Sequence, residues 1–168
     1  VSCETGPHYL ILCDEDLMDD GRFKMNPPIR SAADRDALIE GLLDGTIDCI
    51  VTDHAPHAAE EKADFHKAPN GVVGLETAFS VLYTQLVSTG TVPLELLIDR
   101  LSVRPRQIFG LPGGTVEPGA PADLTVLDRN RPHRIDSARF RSMGRATPFD
   151  GWTVCAAPAA TVCGGKLV

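Results

Sequence analysis

The run Ile47-Asp48-Cys49-Ile50-Val51, followed at once by Thr52-Asp53-His54-Ala55-Pro56-His57, constrains this chain more than any other stretch. A short apolar run bounded by polar residues reads as a buried strand of a parallel sheet. This one ends in an aspartate and two histidines. Ionisable, metal-competent side chains therefore stand at the carboxyl end of a strand, which is where α/β barrels carry out their chemistry. The expected class is α/β, and the expected role is enzymatic.

The flanking sequence extends the pattern. Over residues 1 to 111, short apolar runs alternate with segments of 3.6 periodicity, the βα signature of a parallel sheet. Ser31 followed by Asp34 predicts a capped helix that carries Ala37, Leu38, Leu42 and Leu43 on one side and stops near Gly45. A second helix is expected with Leu75, Phe79, Leu82 and Leu86 as its stripe, and a third from Pro93 with Leu94, Leu97, Ile98 and Leu101. Between strand and second helix, the polar stretch from Ala58 to Gly71 resembles an active-site loop more than a scaffold turn. Over residues 112 to 168 the pattern shifts to Pro-Gly punctuation and short strands, at Asp123 to Leu127, near Trp152 to Cys155 and at Ala160 to Cys163. Gly164-Gly165 predicts a hairpin turn, and the segment reads as a small β domain. A full eightfold βα barrel takes about 250 residues, and this chain has 168 and opens on Val1. It is expected to be part of a longer protein.

Composition narrows the partners. With 23% charged residues and a net charge of −7, the chain offers no basic stripe for nucleic acid. No apolar run approaches the ~20 residues that cross a bilayer. A small-molecule substrate is the default. The five cysteines are widely spaced with no C-x-x-C pair, and are expected to be reduced, mostly buried thiols of a cytoplasmic protein.

Among the residues that can carry chemistry, Asp53 comes first. A carboxylate at a strand mouth can ligate a metal and accept a proton from an activated water, although a helix cap or a structural ion pair also uses such a position. His57 heads the polar loop and can hydrogen-bond or pair with an anionic group, while His54 is expected to hold the loop or the aspartate in place. Asn26, before Pro27-Pro28, offers an amide suited to a ureide or imide edge, or serves as a simple turn residue. Asn70-Gly71 closes the loop with a backbone that a ligand can approach, or is a plain turn. Arg30 can bind a carboxylate or sit at the surface. His8 lacks companions at metal-ligand spacing, and Asp53 alone cannot hold a catalytic zinc, which takes about three protein ligands.

These motifs together carry a resemblance. ETGPHYL (4–10), KMNPPIR (24–30), LLDGTIDCIVTDHAPH (42–57), EEK (60–62), GLETAF (74–79) and PGAPADLTVLD (118–128) are similar to the C-terminal part of dihydroorotases of the bacterial class I type, within the cyclic amidohydrolases. The resemblance implies the C-terminal part of a TIM-type (βα)8 barrel (1–111), followed by strands of a small β-sandwich (112–168). It implies one or two zinc ions, with Asp53 as metal ligand and general acid/base. Asn26, His57, Asn70 and Gly71 are implied substrate contacts, and His8 is implied not to be a ligand. The remaining ligands are expected upstream of Val1, so this chain alone is expected to be inactive. The implied reaction is reversible hydrolysis of dihydroorotate to N-carbamoyl-L-aspartate in pyrimidine biosynthesis. Possible partners are further copies of the chain or aspartate transcarbamoylase. Allantoinases, dihydropyrimidinases and non-catalytic dihydroorotase-like proteins are the rival readings.

Overall fold

A computed structural model describes residues 1–168. The chain is α/β. Strand β1 (Glu4–Thr5) leads through Gly6 into helix α1 (Pro7–Ile11), which starts on proline as a first helical turn allows. Helix α2 (Ala32–Asp44) begins at Ser31, where a capping box is complete: Asp34 N donates to Ser31 Oγ at 3.3 Å, and Ser31 N donates to the Asp34 carboxylate at 3.1 Å. It ends on Gly45 in the left-handed region at φ 88°, a conformation that costs glycine nothing. Strand β2 (Cys49–Ile50) then pairs in parallel with β1, Glu4 opposite Cys49 and Thr5 opposite Ile50. Past β2 the chain stays extended, and His54 bridges in parallel to Val72 on the far side of the polar loop. Three parallel segments thus run side by side.

Helix α3 (Ala78–Leu82) continues as a π-helical turn, Tyr83–Val87. Helix α4 (Leu94–Ile98), capped by Pro93, passes through a second π turn, Asp99–Val103, into α5 (Arg104–Phe109), which stops at Gly110 with φ 64°. The remaining strands are antiparallel. β3 (Leu124–Asp128), β6 (Ala157–Cys163) and β7 (Lys166–Leu167) form one sheet in the order β3-β6-β7, and β4 (His133–Arg134) pairs with β5 (Thr153–Val154). Gly164 and Gly165 both take positive φ in the turn between β6 and β7, which matches the hairpin expectation. No helix is long and apolar enough to cross a membrane.

Two hydrophobic clusters hold these elements. The first joins Leu10, Leu42, Ile47, Ile50, Leu82, Leu86, Val92 and Leu97, so that α1, α2, α3 and α4 all close on β2. The second draws Leu12, Met25, Ile29, Val72 and Val81 together with Ile135, Phe149 and Val154. Residues 135 to 154 are therefore packed on the βα part, and Ser80 Oγ donates to Ala156 O at 2.7 Å to tie the residue before β6 to α3.

Three details of the sequence reading are corrected. Leu43 and Ala37 are exposed, and α2 turns Leu38, Ile39 and Leu42 inward instead. Leu75 is 64% exposed because it lies in the turn before α3, where its N–H is directed at His54. Of the five unpaired cysteines only Cys13 and Cys49 are buried. Cys3 precedes β1 and Cys163 ends β6, and both are exposed.

Candidate active site

Asp53 stands three residues beyond β2 with φ 48°, a left-handed conformation that a non-glycine residue adopts only when its surroundings impose it. Its side chain is exposed. The next helix begins only at Ala78, so Asp53 caps nothing. The ion pairs of the neighbourhood, Asp48 with Arg104 at 2.8 Å and Asp64 with Lys67 at 3.1 Å, leave it out. Asp53 instead lines a cavity of about 420 Å³ at the carboxyl ends of β1 and β2, with Thr5, Gly6, Tyr9, Pro27 and Arg30 among the other walls. Arg30, which the sequence left between surface and binding, is thus beside this cavity.

Pro27, Pro28 and Arg30, from the strap that runs from Lys24 to Arg30, line the cavity, and Asn26 lies next to them in the strap but is not among the lining residues. Met25 and Ile29 anchor the strap in the second cluster and leave Asn26, Pro27 and Pro28 exposed between them. The Asn26–Pro27 peptide is cis, and Tyr9 Oη donates to Pro27 O at 2.9 Å. Burial, and secondarily the Asp53 carboxylate, push the Tyr9 phenol up to about 12. His8 is driven down to about 4 by burial, with Asp53 pulling the other way, so it is neutral at physiological pH. Its Nε2 is buried without a hydrogen-bond partner.

A second group forms around the loop end. His57 Nε2 donates to Asn70 O at 2.9 Å, and because a carbonyl can only accept, this contact puts the proton on Nε2. The other ring nitrogen lies 3.9 Å from the Glu61 carboxylate. Gly71 has φ 124°, and a Cβ there would approach Ala55 Cβ to 2.5 Å and His57 Nε2 to 3.1 Å, so only glycine fits. Gly71 N donates to Lys24 O at 3.0 Å, tying this group to the strap. His54 points elsewhere. Its Nδ1 accepts from Gly74 N and Leu75 N at 3.1 and 3.3 Å, which holds the start of α3 in place.

The structure thus brings Asp53 together with Pro27, Pro28 and Arg30 around one cavity whose lining does not include Asn26, and gathers His57, Asn70 and Gly71 into a cluster tied to the same strap. No group of three His, Cys, Asp or Glu side chains within the chain is placed to hold a metal ion. As a single exposed carboxylate with no competing partner, Asp53 fits the part of one ligand. Sequence reasoning missed Tyr9 and Lys62. Lys62 is buried within the polar loop, and a lysine among Glu60, Glu61 and Asp64 carries no signal of burial.

The amidohydrolase family matches residues 11–168. This chain belongs to the amidohydrolase family. Its sequence is 56% identical to a dihydroorotase of Halalkalibacterium halodurans and 55% identical to one of Brevibacillus brevis. Each match covers all of this chain and 40% of the relative, so the chain spans less than half of their length. Among solved structures, it superposes on an L-hydantoinase (dihydropyrimidinase) from Arthrobacter aurescens with a TM-score of 0.91 at 37% identity, over 100% of this chain and 39% of that one. A dihydropyrimidinase from Brevibacillus agri gives 0.90 at 26% identity, again over 100% of this chain and 39% of that one.

Proposed function

We propose that the protein bearing this chain is a dihydroorotase that reversibly hydrolyses (S)-dihydroorotate to N-carbamoyl-L-aspartate. The observation that carries this reading is the difference in identity across the full chain: 56% to a dihydroorotase against 37% to a hydantoinase of the same fold. The cavity beside Asp53 supports it, because a carboxylate at a strand mouth, with Arg30 among the same walls to meet an anionic group, is equipment for opening a small cyclic amide that carries a carboxylate.

Asp53 is read as one ligand of a zinc centre of one or two ions whose other ligands lie outside this chain. When bound, zinc would supply Lewis-acid activation of the ring carbonyl and of the attacking water. The chain's own groups do the rest. Asp53 takes the proton from the attacking water and returns it to the ring nitrogen as the C–N bond breaks, which balances the hydrolysis. The amide of Asn26 and the imidazole of His57 hold the substrate's carboxylate and ureide edge, and the Asn70-Gly71 backbone closes around the ring. Tyr9, un-ionised at its raised pKa, orients the Pro27 carbonyl of the strap.

The same reading divides the chain into a βα barrel part, 1–111, and a contribution to a small β-sandwich, 112–168. It places the protein in the cytoplasm, in pyrimidine biosynthesis, as a homo-oligomer or an associate of aspartate transcarbamoylase. The five unpaired thiols agree with a reducing compartment. A dihydropyrimidinase-like activity is the second reading, favoured by the close superposition on hydantoinases.

Turnover of dihydroorotate, dihydrouracil and hydantoin by the intact, zinc-loaded protein decides between the two. Dihydroorotate should be opened and the uncharged rings left intact. Preference for dihydrouracil or hydantoin would overturn the proposal.

A further inference from the structure

Lys62 is 6% exposed, in a polar loop whose other charged residues face water. A buried ammonium is costly unless all its protons are met. Here they are. Lys62 Nζ donates to Gly71 O at 2.8 Å, to Pro69 O at 2.9 Å and to Lys24 O at 3.1 Å. These carbonyls belong to two segments far apart in sequence, the strap that carries Asn26 and the loop end that carries Asn70 and Gly71. Lys24 O is shared, since it also accepts from Gly71 N at 3.0 Å. Gly21, at the foot of the strap, packs so closely that a Cβ would come to 2.2 Å from Lys62 O.

Burial, and then the neighbouring charge of Lys24, lower the Lys62 pKa, with Asp20 opposing. That cost argues against a role in stability alone, because a well-packed apolar side chain fills a buried site at least as well as a charge does. An apolar chain cannot draw three carbonyl oxygens to one point. The ammonium also polarises the 69–70 peptide, which strengthens the Asn70 N–H as a donor toward a ligand.

We propose that Lys62 is a positioning residue of the active site, holding the Asn26 strap in register with the Asn70-Gly71 loop end and thereby setting substrate affinity. This rests on the reading of those residues as dihydroorotate contacts. In the intact, zinc-loaded enzyme, Lys62→Met should raise KM for dihydroorotate about tenfold while kcat changes about twofold or less, since the group touches neither Asp53 nor the reacting bond. A merely structural lysine would lower thermal stability and leave the KM of the folded enzyme unchanged, and that result overturns the proposal. Should Lys62→Met not be recovered folded, Lys62→Arg carries the test. A planar guanidinium cannot satisfy three converging carbonyls, so KM should still rise about threefold, and an unchanged KM is again fatal.

Amide hydrogen exchange of Asn70 to Val72 gives an answer that needs no substrate. Exchange should quicken there in either variant while residues 32–44 stay protected. If wild type fails to open dihydroorotate but the exchange result holds, the substrate assignment falls and the positioning role stands. Uniform quickening across the chain would refute the positioning role itself.

Discussion

Asp53 combines a left-handed φ, an exposed side chain and freedom from the surrounding ion pairs. On the roles proposed for it, Asp53→Ala in the intact protein should lower kcat by about 10³-fold or more, because a metal ligand and the proton carrier would both be lost. His57→Ala should instead raise KM about tenfold with a smaller change in kcat, the pattern of lost binding. Steady-state kinetics on the two variants separates these roles. His8 provides a test by pH. Its folded pKa of about 4 lies below the ordinary 6.5, so the unfolded chain binds the extra proton first, and stability is retained above pH 6.5 and lost as pH falls toward 4. About 2 kcal/mol should be gone by pH 5, and His8→Leu should flatten that slope in urea unfolding measured at pH 7 and pH 5. The position of Asp53 was readable from the sequence because strand ends follow from apolar runs. The pairing of His57 with Asn70 O was not, because it depends on how the loop folds back across a separation of 13 positions. The three-carbonyl seat of Lys62 is hidden for the same reason.

At the level of elements, local chemistry did most of the specifying. Ser31 and Asp34 close a capping box at the start of α2, and Gly45 ends it in the left-handed region, both where the sequence indicates. Ser31→Ala removes the side-chain acceptor for Asp34 N and should cost about 1 kcal/mol, read as a shift of the urea midpoint at constant slope. A shift of zero would mean the helix is held by Leu38, Ile39 and Leu42 alone. Periodicity was less reliable at helix margins. Leu75 falls on the extrapolated stripe of α3, yet its backbone N–H is spent on His54 Nδ1, and the turn leaves the side chain outside. The π turns at Tyr83–Val87 and Asp99–Val103 also escape a 3.6-residue reading, since each shifts the register of the residues after it.

Across the whole molecule, two clusters of buried residues are stitched together by Leu10 and Leu12 on successive inward positions, one in each. Strand β2 was legible from the apolar residues of Ile47 to Val51, whereas its parallel partner β1 was not, because Glu4–Thr5 is polar, nor was the docking of residues 135 to 154 on Val72 and Val81, because Asp128 to Arg145 shows no period. The antiparallel sheet β3-β6-β7 has little covering it: Val126 is 54% and Leu167 is 74% exposed. β1 pairs only with β2, so its other edge carries unpaired backbone groups, and Leu43, Phe109 and Val116 add exposed apolar surface. Open edges and bare apolar side chains are templates for association. The 168-residue chain expressed by itself should therefore self-associate at micromolar concentration, with sedimentation velocity showing species heavier than the 18.0 kDa monomer. The intact protein should sediment as a discrete species if its remaining residues cover those surfaces. A monomeric 168-residue chain with one cooperative thermal transition would show instead that the two clusters suffice, and that the open β1 edge and the bare β3-β6-β7 face need no partner.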